Sequence, residues 1–309
     1  MTFSDWIRKT RTSVRERGPV DGLREGGYEL YIGGLRRLNK FYPGTTNVYD
    51  REWDVLLVLD ACRVDVIDEV ADEYPFLNRP DELVSVGSSS IEWLENTFTE
   101  RRRDEMKRTA YVTGNPFSHR VLDDDSLRKL DEVWRYEWDD EAGTIPGRPI
   151  TDRAISTKRE LDPDRLIVHY MQPHFPSIPD PLGGGMNAET LGEGAGWEDP
   201  WDRLRKGELT RERVWRSYRD NLRYILGEVE LLLGSVDAER VVVTADHGNA
   251  AGELGVYGHP KVPIPSIRRV PWYETSAEDT GEYDPKQDTE RSARDEGTVE
   301  EKLSALGYL

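Results

Sequence analysis

A single cysteine, Cys62, has no partner to pair with, so an internal disulfide framework and any multi-cysteine zinc knuckle are excluded. That scarcity predicts a reducing, cytoplasmic setting. No window approaches the roughly 18 consecutive apolar residues of a membrane span, and the first residues lack the apolar core of a secretory signal. The sequence therefore predicts a protein kept inside the cell. Lysine is also rare: 9 of the 42 basic residues are Lys and the rest are Arg, against 60 acids and a formal net charge of −18. A field of that sign repels phosphate backbones, which excludes nucleic acid as a partner. The mixture is that of proteins adapted to concentrated salt, so the acidity reflects solvent rather than substrate. There is no internal repeat. No glycine-rich loop follows a strand in the P-loop or dinucleotide pattern, which sets aside a nucleotide-binding α/β protein.

What is present divides the 309 residues into three parts. Residues 1–50 are expected to form a basic arm, 51–275 a single α/β domain, and 276–309 an acidic tail whose 299–306 segment closes as a short helix. The first 40 residues carry nine Arg or Lys and five acids, interleaved with Trp6, Leu23, Tyr28, Tyr31 and Ile32. Two readings of this arm stay open: contact with an anionic membrane surface or a partner, leaving the protein peripheral at the inner membrane face, or packing on the domain's own acidic face.

The run DVLLVLD at 54–60 is a strand covered on both faces. Further strands are expected at 83–86, 109–113, 130–138, 164–170 and 240–244, with helices at 63–73, 91–99 and 210–233. The last carries Val214, Tyr218, Leu222, Ile225, Val229 and Leu232 on one stripe. Buried strands alternating with helices imply a mostly parallel central sheet with helices on both faces. The stretch 178–208, rich in Gly, Pro and acids, is too long for a connection and reads as a lid or substrate-selecting insertion.

In such a sheet, ligands bind beyond the carboxyl ends of the strands. Asp60 ends one strand; His174 lies just past another, which contains His169; Asp246 and His247 follow a third, with His259 twelve residues on. Ser88, Ser89 and Ser90 stand at a helix N-terminus, where N–H groups and the dipole favour an anion. Carboxylates, imidazoles and a hydroxyl together suit phosphoryl or sulfuryl transfer: a divalent cation polarises the ester and lowers the pKa of a coordinated hydroxyl. Oxygen and nitrogen donors without thiolate suit Zn, Mn or Mg, one ion or two. Single members have plainer roles. Asp60 or the serines serve equally as helix caps, His169 reads as a satisfied core histidine, His119 as structural, and Cys62 as a packing residue.

Taken together, VLDACR (58–63), GSSSIEW (87–93), MQPHFP (171–176), ADHG (245–248) and GELGVYGH (252–259) resemble the alkaline phosphatase superfamily, within it the sulfatases and phosphoethanolamine transferases. The resemblance spans roughly 52–272. It implies an alkaline phosphatase-like fold, with Asp60, Asp246 and His247 as metal ligands. It also implies Ser89 as nucleophile and ligand, with Ser90 and Ser88 behind it, and supporting roles for His174 and His259. Arg63, Asn115 and Ser90 would contact the anion. The Cys-x-Pro-x-Arg motif that matures to formylglycine is absent, which favours a serine mechanism. The expected function is a metal-dependent hydrolase or transferase of sulfate or phosphate esters, acting on a small-molecule or glycan- or lipid-linked substrate. The alternative is a non-catalytic scaffold of the same fold in glycan assembly.

Overall fold

The computed structural model describes residues 3–39, 42–183 and 199–286. Its helices are α1 (Phe3–Arg17), α2 (Pro19–Leu38), α3 (Val64–Asp68), α4 (Ser90–Thr97), α5 (Arg103–Met106), α6 (Trp134–Glu137), α7 (Gly147–Leu161), α8 (Pro200–Lys206), α9 (Arg211–Leu233) and α10 (Pro265–Arg268). Its strands are β1 (Val55–Leu59), β2 (Pro80–Val84), β3 (Thr109–Thr113), β4 (Lys129–Glu132), β5 (Arg165–Tyr170), β6 (Ala238–Thr244), the two-residue β7 (Ala250–Ala251) and β8 (Tyr257–Gly258), and β9 (Arg269–Ala277).

Seven strands form one sheet in the order β2-β9-β6-β1-β5-β3-β4, and β7 pairs with β8 separately. β6, β1, β5, β3 and β4 run parallel, whereas β9 is antiparallel to both β6 and β2. Every residue of β1 is buried, as its unbroken apolar run demands of a strand covered on both faces. The crossover α9 buries the predicted stripe from Val214 to Leu232, and Thr210 caps it by accepting from the Arg213 amide.

Several sequence expectations are corrected. The strand expected over 130–138 stops at Glu132 and gives way to the helical turn α6. The helix expected over 63–73 breaks into α3 and a separate turn at Ala71–Glu73. β9 went unpredicted because Arg269 and Pro271 interrupt its apolar pattern; Pro271 lends its carbonyl to the Thr244 hydroxyl instead. α7 was missed because its buried face mixes Ile150, Ala154 and Ile155 with Thr151, Ser156 and Thr157. Within the supposed lid, 200–206 is helical, while 184–198 lies outside the described residues. The tail is anchored at its start, with Asp279 paired to Arg159 at 2.9 Å and the Tyr283 hydroxyl donating to Asp152 at 2.6 Å. The expected 299–306 helix also lies outside the described residues.

α1 and α2 form a hairpin. Gly22 lets the backbones meet: a Cβ there would stand 2.4 Å from the Val14 main chain. Ile32 of α2 is buried with Ala250, Val256, Val262, Ile264 and Ile267 in a satellite cluster apart from the main core. The arm thus packs on its own domain through this face, while Val20, Leu23, Leu30 and Leu38 are exposed. No described helix is long and apolar enough to cross a membrane.

Candidate active site

Parallel strands bring their carboxyl ends to one edge. Asp60 leaves β1 at a sharp turn in which Ala61 takes the left-handed φ of 59°, costly for a residue with a Cβ. The Tyr218 hydroxyl from α9 donates to the Ala61 carbonyl and accepts from the Arg63 amide at 3.2 Å, holding that turn. The Ala61 amide donates to Asp246 Oδ1 at 3.0 Å, and the His247 amide donates to the same oxygen at 2.8 Å. Ser85, which the sequence did not single out, ties the loop before α4 to the Asp246 carbonyl through its hydroxyl.

Asp60, Asp246 and His247 are buried, and each places a ligand atom within 4.8 Å of the others. Asp60 Oδ2 accepts from Asn115 Nδ2 at 2.8 Å and from Ser90 Oγ at 3.1 Å. Asp60 Oδ1 and Asp246 Oδ2 have no hydrogen-bond partner among the described residues. His247 Nε2 stands 3.7 Å from the first and 3.4 Å from the second. With His247 Nδ1 placed to donate to the Gly248 carbonyl at 2.9 Å, the network assigns a lone pair to Nε2. Two carboxylate oxygens and an imidazole lone pair facing one another in a dry interior repel unless a cation lies among them. The donor set therefore fits a divalent ion, and its oxygens and nitrogens match the expected Zn, Mn or Mg class.

The electrostatics agree with this crowding. Burial, then the neighbouring Asp246, pushes the Asp60 carboxyl well above its ordinary range. Burial opposes charge on Asp246 too, but His247 and His169 when protonated, and then the Ala61 amide, outweigh it and bring that carboxyl below its ordinary value. Burial drives His174 down to about 4 and His259 well below its usual value, so both are neutral at pH 7. Their Nε2 atoms lie 3.2 Å apart, and the His259 ring sits 4.5 Å from that of His247.

The three serines separate by role. Ser88 is consumed by Glu92, whose Oε2 accepts from its amide at 2.8 Å and its hydroxyl at 2.6 Å. Ser89 caps α4 by position, but its Oγ makes no hydrogen bond among the described residues. Ser90, the first residue of the helix, is the one whose hydroxyl enters the cluster, at 3.1 Å from Asp60 Oδ2 and 3.4 Å from His247 Nε2. The Ser90 hydroxyl, rather than that of Ser89, is the one within hydrogen-bond distance of Asp60.

Arg63 and Asn115 have partners within the protein. The buried Arg63 guanidinium is committed to Asp65 at 2.6 Å, Glu253 at 2.9 Å and the Asn249 carbonyl at 2.6 Å. Asn115 spends its amide on Asp60 and its carbonyl oxygen on the Phe117 amide at 3.0 Å. Both side chains are engaged with other residues of the protein at the edge of the cluster. His169 is buried and bonded on one side only: Nδ1 lies 2.8 Å from the Tyr111 hydroxyl, and Nε2 has no partner among the described residues. A buried-strand pattern hides such a residue, because both faces of the strand read as apolar.

No protein-family model and no curated protein matches this sequence. Solved structures do match. The soluble domain of lipooligosaccharide phosphoethanolamine transferase A from Neisseria meningitidis is 14% identical, with a TM-score of 0.51 over 74% of this chain and 77% of that one. The integral membrane protein lipooligosaccharide phosphoethanolamine transferase A from the same organism is 13% identical, with a TM-score of 0.51 over 91% of this chain. This chain spans 60% of that protein's length. The likeness holds at the level of the fold: the chain has the α/β architecture expected from its resemblance to the phosphoethanolamine transferase branch of the alkaline phosphatase superfamily.

Proposed function

We propose that this protein is a divalent-cation-dependent enzyme that transfers or hydrolyses a phosphate or sulfate ester, with Ser90 as its nucleophile. The observation that carries the reading is the buried set of Asp60, Asp246 and His247 with the Ser90 hydroxyl beside it. When bound, a divalent ion there supplies Lewis acidity toward the ester oxygens and favours the ionised serine.

The chain's own residues do the rest. Asp60 receives the Ser90 proton on Oδ2 along their 3.1 Å hydrogen bond, which leaves Oδ1 free to face the ion. Ser90 opens α4, so the positive end of the helix dipole stabilises negative charge on its oxygen. Asn115 keeps Asp60 turned toward the serine. His259, neutral, donates its Nε2 hydrogen to the departing oxygen, while His174, with Nδ1 donating to the Phe175 carbonyl, keeps Nε2 as an acceptor 3.2 Å away that orients that donor. Similarity of fold to a lipooligosaccharide phosphoethanolamine transferase supports a phosphate ester carried by a glycan or lipid.

The test is an assay of p-nitrophenyl phosphate, bis-p-nitrophenyl phosphate and p-nitrophenyl sulfate with and without chelator, alongside Ser90→Ala, Ser89→Ala and Asp246→Asn. The expected result is metal-dependent turnover of one ester, a loss on the order of 10³-fold or more in Ser90→Ala, and near-normal turnover in Ser89→Ala. Turnover that survives Ser90→Ala but not Ser89→Ala would move the nucleophile back by one residue. A folded wild type that binds none of the three metals would sink the enzyme reading.

A further inference from the structure

His169 is a histidine in the middle of a sheet. It is the fifth residue of β5, pairs with Val58 of β1 and Thr113 of β3, and is fully buried. Only one of its two ring nitrogens is satisfied. Nε2 stands 3.8 Å from Asp246 Oδ2 and 3.9 Å from Asp60 Oδ2, too far for hydrogen bonds, and has no other partner among the described residues. The opposite ring nitrogen is held by the buried Tyr111 hydroxyl at 2.8 Å, and the Trp93 ring meets the imidazole edge to face at 5.5 Å.

A buried imidazole nitrogen left bare costs free energy, and a strand interior offers apolar residues that would not incur it. The spacing explains the exception. His247 approaches the same Asp246 oxygen, Oδ2, at 3.4 Å and the other Asp60 oxygen, Oδ1, at 3.7 Å, also without a hydrogen bond. Donors sharing one ion stand apart by such distances, because each is about 2 Å from the metal and none touches the others. A ligand histidine usually passes its other N–H to an acceptor, which fixes the tautomer; here the Tyr111 hydroxyl oxygen stands in that place.

We propose that His169, oriented by Tyr111, is a further nitrogen donor to the cation held by Asp60, Asp246 and His247. This deepens the functional reading above and rests on it. The sequence implied one imidazole and two carboxylates on the ion; a second imidazole makes the set softer, and selects Zn or another late transition metal over Mg. It also places a donor on β5, so three adjacent strands of the sheet, β5, β1 and β6, contribute to the cage. Loading the ion then locks the centre of the fold.

The test uses the full chain stripped with chelator and titrated with Zn and with Co(II), whose visible spectrum reports donor number and type. His169→Gln and Tyr111→Phe are compared with wild type, and Asp246→Asn serves as the control for the site itself. His169→Gln is expected to weaken Zn binding by about 100-fold or more and to shift the Co(II) bands, and Tyr111→Phe to weaken it by about 10-fold. Preference for Zn over Mg narrows in His169→Gln. Tyr111→Phe removes only a hydroxyl, so it decides the matter if His169→Gln does not fold. An unchanged Co(II) spectrum and Zn affinity in these variants, while Asp246→Asn abolishes binding, overturns the role of His169 and leaves the functional reading standing. Absence of binding in wild type overturns both.

Discussion

Gly248 sits between His247 and the chain that returns through α10. A Cβ at this position would fall 2.3 Å from the Ser266 carbonyl oxygen, and the Gly248 amide donates to the Ile267 carbonyl at 2.8 Å, so neither backbone has room to give. Gly248→Ala is expected to destabilise the fold by about 1–3 kcal/mol and to weaken metal affinity, because His247 is displaced with it; a thermal melt and a Zn titration check both. At this scale the sequence was legible where chemistry and position coincide. Asp60, Asp246 and His247 each end or follow a strand, and they meet. It was not legible among Ser88, Ser89 and Ser90, since adjacent residues at a helix start point about 100° apart around the axis, from 3.6 residues per turn. Only the placement of α4 decides which hydroxyl faces the cluster.

Among elements, strands with unbroken apolar runs and the long α9 were readable, because burial on both faces and a 3.6-residue stripe leave little else for those sequences to do. β9 and α7 were hidden by Pro271 and by a face of small hydroxyl residues. α8 was hidden inside a polar stretch, although Asp199 caps it by accepting from the Trp201 amide at 3.0 Å. Burial lifts the Asp199 carboxyl from its ordinary range near 4 up to about 7. A carboxyl whose folded pKa is raised binds its proton more tightly in the native state. Its contribution is therefore fully present at low pH and is lost as pH rises from about 4 through about 7. Asp199→Asn keeps the capping oxygen and removes the titration. The difference in melting temperature between variant and wild type is expected to grow in the variant's favour across that window. A difference constant with pH would rule this out.

Across the whole molecule, a net charge of −18 sets like charges against one another over a surface that must still close. Raising KCl from 0.1 to 1 M shortens the screening length from about 10 to about 3 Å. The unfolding midpoint is expected to rise over that range, and a midpoint that falls or stays flat would remove the case for salt adaptation. Charge says little about architecture, which is why composition bounded the partners but not the placement of the arm.

That placement has a consequence for rate. The loop that carries His259 is fastened from outside the sheet, by Ile32 in the satellite cluster and by the Tyr31 hydroxyl on the Leu254 carbonyl at 2.8 Å. Those contacts belong to a small cluster apart from the main core, so on warming they loosen before the seven-stranded sheet does. Turnover measured against temperature is therefore expected to peak and decline several degrees below the midpoint of the circular dichroism melt. A peak coinciding with the melt would mean that the hairpin has no grip on the histidine.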